Sequence, residues 1–267
     1  MECFSPYHFF SRAVDTRLAG LLAATECVWD LLPAIEEAIR QTIEPNVAQI
    51  VKNGPLVTEP VAIHSGQAVT RVSFRLDGPD GRFVCHKDGE ELAGAALILP
   101  GAFLADELIE IGPGALVETG AMIKGPAIIG PGTEVRQAAY VRGSVLAGEG
   151  CVIGHATEAK NTVMLPGAKA GHFAYLGDSV LGAGVNLGAG TKLANLKMLD
   201  SPYRFVADGQ TRLVNIRKFG AILGDRVETG CNSVTSPGVL VGPGSKVLPN
   251  VTVKAGFYPS HSLIRDK

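Results

Sequence analysis

His172 sits in the run Lys169-Ala170-Gly171-His172-Phe173-Ala174-Tyr175-Leu176-Gly177-Asp178. Two asparagines follow closely, in Val185-Asn186-Leu187-Gly188-Ala189-Gly190-Thr191 and in Ala194-Asn195. An imidazole takes up and releases a proton near neutral pH, and an asparagine amide both donates and accepts hydrogen bonds. A lone histidine is more often structural than catalytic. This one is singled out by its surroundings, because it lies where a long sequence repeat slips and the asparagines come within the next repeats.

That repeat is what must position them. Read in sixes, Leu99, Ala105, Ile111, Val117, Ile123, Ile129, Val135, Val141, Ala147, Ile153, Ala159 and Leu165 hold one register. Four places after each comes a residue that is mostly small or apolar, such as Ala115, Ala121, Ala127, Ala139 and Cys151. Six residues make a short strand and a corner. The aliphatic points inward, the small residue packs beside it, and glycines such as Gly112, Gly130, Gly148 and Gly154 relieve the corner. Three strands make a coil of about 18 residues, and coils stack at the strand spacing of about 4.8 Å. Each coil buries apolar side chains only against its neighbours, so the expected fold is mainly β, a solenoid. His172 and positions near 190 then stack on one face. The register slips just after Leu165, resumes at Tyr175, Leu181, Leu187 and Leu193, and pauses between about 196 and 218. It returns at Leu223, Thr229, Thr235, Val241, Val247 and Val253. Interruptions of this kind read as loops grafted onto a rigid rod, where function concentrates.

Charge is nearly balanced, with Lys+Arg 24 against Asp+Glu 26, which gives no argument for nucleic acid. The five cysteines form no CxxC pair; Cys151 and Cys231 read as buried reduced thiols, and a reducing, cytoplasmic compartment is expected. No apolar run approaches the roughly 20 residues of a membrane span, and Leu18–Ala24 reads as helix, not as a signal-peptide core. Val28, Leu31, Leu32, Ile35, Ile39 and Ile43 recur at helical spacing, with Pro33 in the first turn and Pro45 beyond the end. Ala68, Thr70, Val72, Phe74 and Leu76 alternate as a half-buried strand, Asp77–Gly81 form a turn, and Arg82–His86 a second strand. The expected division is a small α+β region over 1–96, the solenoid over 97–258, and a capping tail over 259–267.

Within the solenoid, KAGH-x-x-YLGD, then GVNLGAGT, then an asparagine four residues after that threonine, carry a resemblance. They resemble the acetyltransferase half of the bifunctional glucosamine-1-phosphate acetyltransferase/N-acetylglucosamine-1-phosphate uridylyltransferase. The C-terminal halves of archaeal sugar-1-phosphate nucleotidylyltransferases, which share the longer insertion before the final coils, are similar too. The likeness covers roughly 97–258, and Glu158–Asn195 is its specific part. It implies a left-handed parallel β-helix, a homotrimer with acyl-CoA between adjacent rods, and acetyl-CoA as co-substrate. By the same resemblance His172 is the catalytic base and Glu158 the carboxylate that orients it. Arg142 and Lys160 grip a sugar phosphate, and Tyr175, Asn186 and Asn195 contact the sugar. The Ala189 backbone N–H holds the acetyl carbonyl, with Cys231 on the cofactor side. Lys218 matches a further lysine that closes the site.

Amine attack on a thioester suits these residue types. It needs a base, a donor for the oxyanion, and cations for the phosphate, Arg as a planar fork and Lys as a point charge. Leu196 departs from the family's Tyr after the asparagine, and the 196–218 insertion, with Tyr203, Arg204, Arg212 and Arg217, leaves the acceptor open. No Gly-rich nucleotide-binding domain precedes the repeat, so uridylyltransferase activity is not expected. The solenoid offers only His155 and His172, without a close histidine pair, so no metal site is expected. Two functions compete: N-acetylation of an amino-sugar 1-phosphate, and a non-catalytic trimeric scaffold or sugar-phosphate-binding regulator.

Overall fold

The computed structural model describes residues 4–11, 16–77, 82–199, 201–207 and 209–266. The repeat forms a left-handed parallel β-helix of about 9 turns. Its first face is an eleven-stranded sheet, parallel except for the two N-terminal strands Val61–His64 and Gln67–Thr70, which run antiparallel at its start. The second and third faces form one fourteen-stranded sheet. They are continuous because Glu158–Met164 and Tyr175–Leu181 bend across a corner and pair along both faces.

Inside, one aliphatic stack runs under each face. Under the third face it is Ile111, Ile129, Ala147, Met164, Leu181, Leu223 and Val241, all in one buried cluster. Corner hydroxyls close the coils: Thr133 Oγ1 donates to the Gly148 carbonyl (2.6 Å) and Thr157 Oγ1 to that of Ala170 (3.0 Å).

The six-residue register holds through the middle of the rod and errs by one at three places. Near the start, Ile98 and Leu104 point inward, not Leu99 and Ala105. The corner at 105–108 holds an extra residue, and Asp106 braces it by accepting from the N–H groups of Leu108 (3.0 Å) and Gly125 (2.8 Å). The slip expected after Leu165 occurs earlier. Val141 pairs with Ala159, but Val145 pairs with Thr162, so the corner at Asn161 is one residue short. Met164 is therefore the inward residue, and Leu165 lies in the outer apolar cluster. A second short corner puts Leu176 inward in place of Tyr175.

The third face is also apolar outside. Ile128, Leu146, Val163, Val180, Ile222 and Leu240 occupy matching places on the third face coil after coil, and all six are buried outside the coil. The N-terminal helices cover them: α1 (Pro6–Phe9), α2 (Thr16–Ala24) and α3 (Leu31–Thr42), the last burying Leu31, Leu32, Ile35 and Ile39. A buried carboxylate pins the cap, since Asp225 accepts from Ser11 N (2.9 Å) and Ser11 Oγ (3.0 Å) and from the coil at Ala183 N (2.9 Å). The 196–218 insertion is a hairpin of Tyr203–Ala207 and Gln210–Val214. It folds onto the same cap, with Phe205 stacked on Trp29 at 5.2 Å.

The strand expected over 68–76 is two strands. Arg71 takes φ 55°, and the chain turns there from Gln67–Thr70 into Ser73–Leu76, which forms the hairpin with Phe83–Lys87. Most of the expected turn at 77–81 lies outside the described residues. Among the described residues no helix is long and apolar enough to cross a membrane.

Candidate active site

The candidate residues gather at the corner where the chain passes from the first face to the second. On the first-face side, His155 and His172 stand in register on neighbouring coils. The Gly190 N–H donates to the His172 carbonyl (2.9 Å), and the Asn232 N–H to that of Ala189 (2.8 Å). His155, His172, Ala189 and Cys231 thus form one column along the rod. Cys231 is exposed, not buried as its place in the repeat suggested. It follows the strand Glu228–Thr229 at an outward corner position, whereas Cys151 sits at an inward one and is buried. The approach of coils here is close: a Cβ on Gly154 would collide with the Gly171 backbone. The His172 side chain is exposed and its imidazole makes no hydrogen bond to a described residue, whereas His155 Nδ1 lies 3.1 Å from the Gln137 carbonyl.

Three residues further round, the second face begins. Tyr140, Glu158, Tyr175 and Lys192 share one row of the ladder. The next outward row carries Lys124, Arg142 and Lys160, each following an inward residue of Ile123, Val141 and Ala159. Gly177 occupies the fourth place in that row. A Cβ there would lie 2.7 Å from both Asn195 Nδ2 and Tyr175 Oη, so its absence makes room for those two groups.

Charge in the corner is organised around two carboxylates. Glu158 Oε1 accepts from Arg142 Nη1 at 2.5 Å. Asp178, buried at 4 % exposure, accepts from Asn161 Nδ2 (3.0 Å) and from the Asn195 amide. Lys160 Nζ lies 3.7 Å from the same carboxylate. Asp178 so orients Asn195, whose Oδ1 accepts from Tyr175 Oη at 3.3 Å. Burial pushes the Tyr175 phenol above its usual range, and Glu158 and Asp178 push it further, so it remains a donor. The hydrogen bond to Glu158 raises the Arg142 guanidinium.

Of the residues singled out in the sequence, His172, Ala189 and Cys231 fall on the first column, and Arg142, Glu158, Lys160, Tyr175 and Asn195 meet on the second face. Lys218 is delivered to their edge: it bridges Leu196, and the Phe219 N–H donates to the Asn195 carbonyl (2.9 Å). Asn186 stands apart, exposed on the first face beside Lys169 and Glu228. Glu158 is engaged by Arg142, and no hydrogen bond joins it to His172. Tyr203 is buried against Phe219 at 5.2 Å between ring centres. Sequence reasoning missed Asp178, Tyr140 and Lys124. The last two lie one coil below Glu158 and Arg142, so stepping back one repeat finds them.

A triangular coil of parallel strands with polar side chains collected at one corner defines a hexapeptide-repeat β-helix protein. The chain belongs to the GMPPB C-terminal domain family, whose model matches residues 123–258, just over half of its length. It is similar to the bifunctional protein GlmU of Methanococcus vannielii, 37% identical over 99 residues, which is 37% of this chain and 24% of that protein. The bifunctional sugar-1-phosphate nucleotidylyltransferase/acetyltransferase of Sulfurisphaera tokodaii is 37% identical over 98 residues, again 37% of this chain and 24% of its own. GlmU of a Cyanothece strain is 38% identical over 99 residues, 37% of this chain and 17% of its own. The chain thus spans about a quarter of the length of the first two.

Proposed function

We propose that the corner is the active site of an acetyl-CoA-dependent N-acetyltransferase whose acceptor is an amino-sugar 1-phosphate. One observation carries this reading: His172, Ala189 and Cys231 share a column, and just round the corner Arg142, Lys160, Tyr175 and Asn195 come together. In the reaction the acceptor nitrogen attacks the thioester carbon. His172 takes the proton as the C–N bond forms. The Ala189 N–H donates to the developing oxyanion. The C–S bond then breaks, and the imidazolium returns its proton to the leaving sulfur. Arg142 has guanidinium N–H groups beyond the one committed to Glu158, and Lys160 is held only loosely, so both can take phosphate oxygens. Asn195 and Tyr175, fixed by Asp178, are placed for sugar hydroxyls. The catalytic unit in this reading is residues 97–258, working in the cytoplasm.

A second reading is a sugar-phosphate binder without turnover. It is favoured by the Arg142–Glu158 pair, which leaves His172 without a carboxylate partner among the described residues. Release of free thiol from acetyl-CoA, measured with a panel of amino-sugar phosphates, separates the two. Acceptor-dependent release supports the enzyme; saturable sugar-phosphate binding with no release supports the binder.

A further inference from the structure

Resting on the phosphate-gripping role just given to Arg142 and Lys160, we propose that the site takes a diphosphate, with Lys124 holding the second phosphoryl group. Lys124, Arg142 and Lys160 occupy the same outward row on three successive coils. At strand spacing their backbones span roughly 10 Å along the rod. A single phosphoryl group is met by cations from two neighbouring coils. A third cation, one coil further, reaches a second phosphoryl group.

The charges support this count. Glu158 and Asp178 offset Arg142 and Lys160. Lys124 is half-buried, has no carboxylate partner among the described residues, and leaves the row with one positive charge in surplus. Nor is it loose. Its Nζ lies 5.2 Å from the centre of the Tyr140 ring, and Arg142 Cζ lies 5.9 Å from the same centre. One ring therefore holds both head groups by cation–π attraction, which reduces the ordering cost of binding an anion between them. The row ends at Gly177, where Tyr175 and Asn195 fill the space. The anion thus lies toward the N-terminal side of the sugar contacts. The substrate class that fits is an amino-sugar 1-phosphate whose phosphate is linked on to a second phosphoryl group, as in a nucleoside-diphosphate sugar.

The test is calorimetry on the full chain with inorganic pyrophosphate and inorganic phosphate. The wild type binds pyrophosphate more tightly by about 10-fold or more, the scale of one added charge-assisted hydrogen bond. Lys124→Ala removes that advantage and leaves phosphate affinity unchanged, and Lys124→Arg retains it. Equal affinity for the two anions in the wild type, equal weakening of both by Lys124→Ala, or no binding of pyrophosphate overturns the proposal. Thiol release with a nucleoside-diphosphate-linked amino sugar against the corresponding 1-phosphate is measured in parallel. No turnover with either acceptor, beside Lys124-dependent pyrophosphate binding, sinks the enzyme reading and leaves the diphosphate site standing. Turnover without Lys124-dependent binding does the reverse.

Discussion

His172 lies at the end of its strand, exposed, with its carbonyl tied into the ladder. Replacing it with alanine is therefore expected to leave folding intact. If it is the base, turnover falls by about 10²–10⁴-fold while the KM for acetyl-CoA changes little, because the lost interaction belongs mainly to the transition state. Steady-state kinetics on His172→Ala decide this, and a wild-type rate with every acceptor places the base elsewhere. Arg142→Ala and Lys160→Ala are expected to weaken sugar-phosphate binding more than acetyl-CoA binding. Equal loss of both ligands in a titration contradicts their assignment. At this scale the sequence was informative wherever a residue's partner lies one coil away. A step of one repeat links Arg142 to Lys160 and, read backward, to Lys124. Asp178 was hidden because the short corners put its partners Asn161 and Asn195 17 residues away on either side, off the step of about 18 residues that links Arg142 to Lys160.

The elements around the rod are held by a second hydrophobic pattern laid over the first. Coil after coil carries an apolar residue facing out on the third face, from Ile128 through Leu146, Val163, Val180 and Ile222 to Leu240, and α3 lies across that column. Ile35, 1% exposed, packs in the cluster, so Ile35→Ala is expected to cost about 2–5 kcal/mol, read as a lower midpoint in denaturant. Asp30 precedes the same helix without a side-chain cap bond. Burial raises its carboxyl above the usual range, the Cys27 hydrogen bond lowers it in part, and Glu26 adds to the rise. The folded chain therefore binds this proton more tightly than the unfolded chain. The charge costs nothing in acid, and its cost builds as pH rises through the shifted range to its full value at neutrality. Asp30→Asn is expected to melt higher than wild type at neutral pH, with the gain vanishing in acid; a constant offset across pH contradicts this. The six-residue period made the rod legible. The slips at Leu99, Ala105 and Leu165 were not, because a corner can gain or lose a residue and still close when Asp106 accepts from nearby N–H groups or the Asn161 amide donates to Asp178 on the next coil. The outward column was present in the sequence at a period of one coil, which a six-residue reading does not sample.

For the whole molecule, a homotrimer is expected, with acyl-CoA lying between adjacent rods. Light scattering that finds a stable monomer at micromolar concentration rules out a shared site. The cap on the third face bears on how such an assembly ends. A triangular prism open on all sides has three equal flanks and can go on adding copies sideways. Here one flank is sealed by α1–α3 and by the hairpin that Phe205 locks onto Trp29. Two flanks remain without a helical cover, the first of them carrying the Ser73–Leu76/Phe83–Lys87 hairpin over Leu97 and Leu116, which gives the protomer a lateral valence of at most two. In a ring of three each copy spends one flank on each neighbour, and none is left over. The helices that look like a covering for greasy strands would then also act as a terminator, barring a third neighbour, while the angle between the two remaining flanks decides whether the ring closes at three.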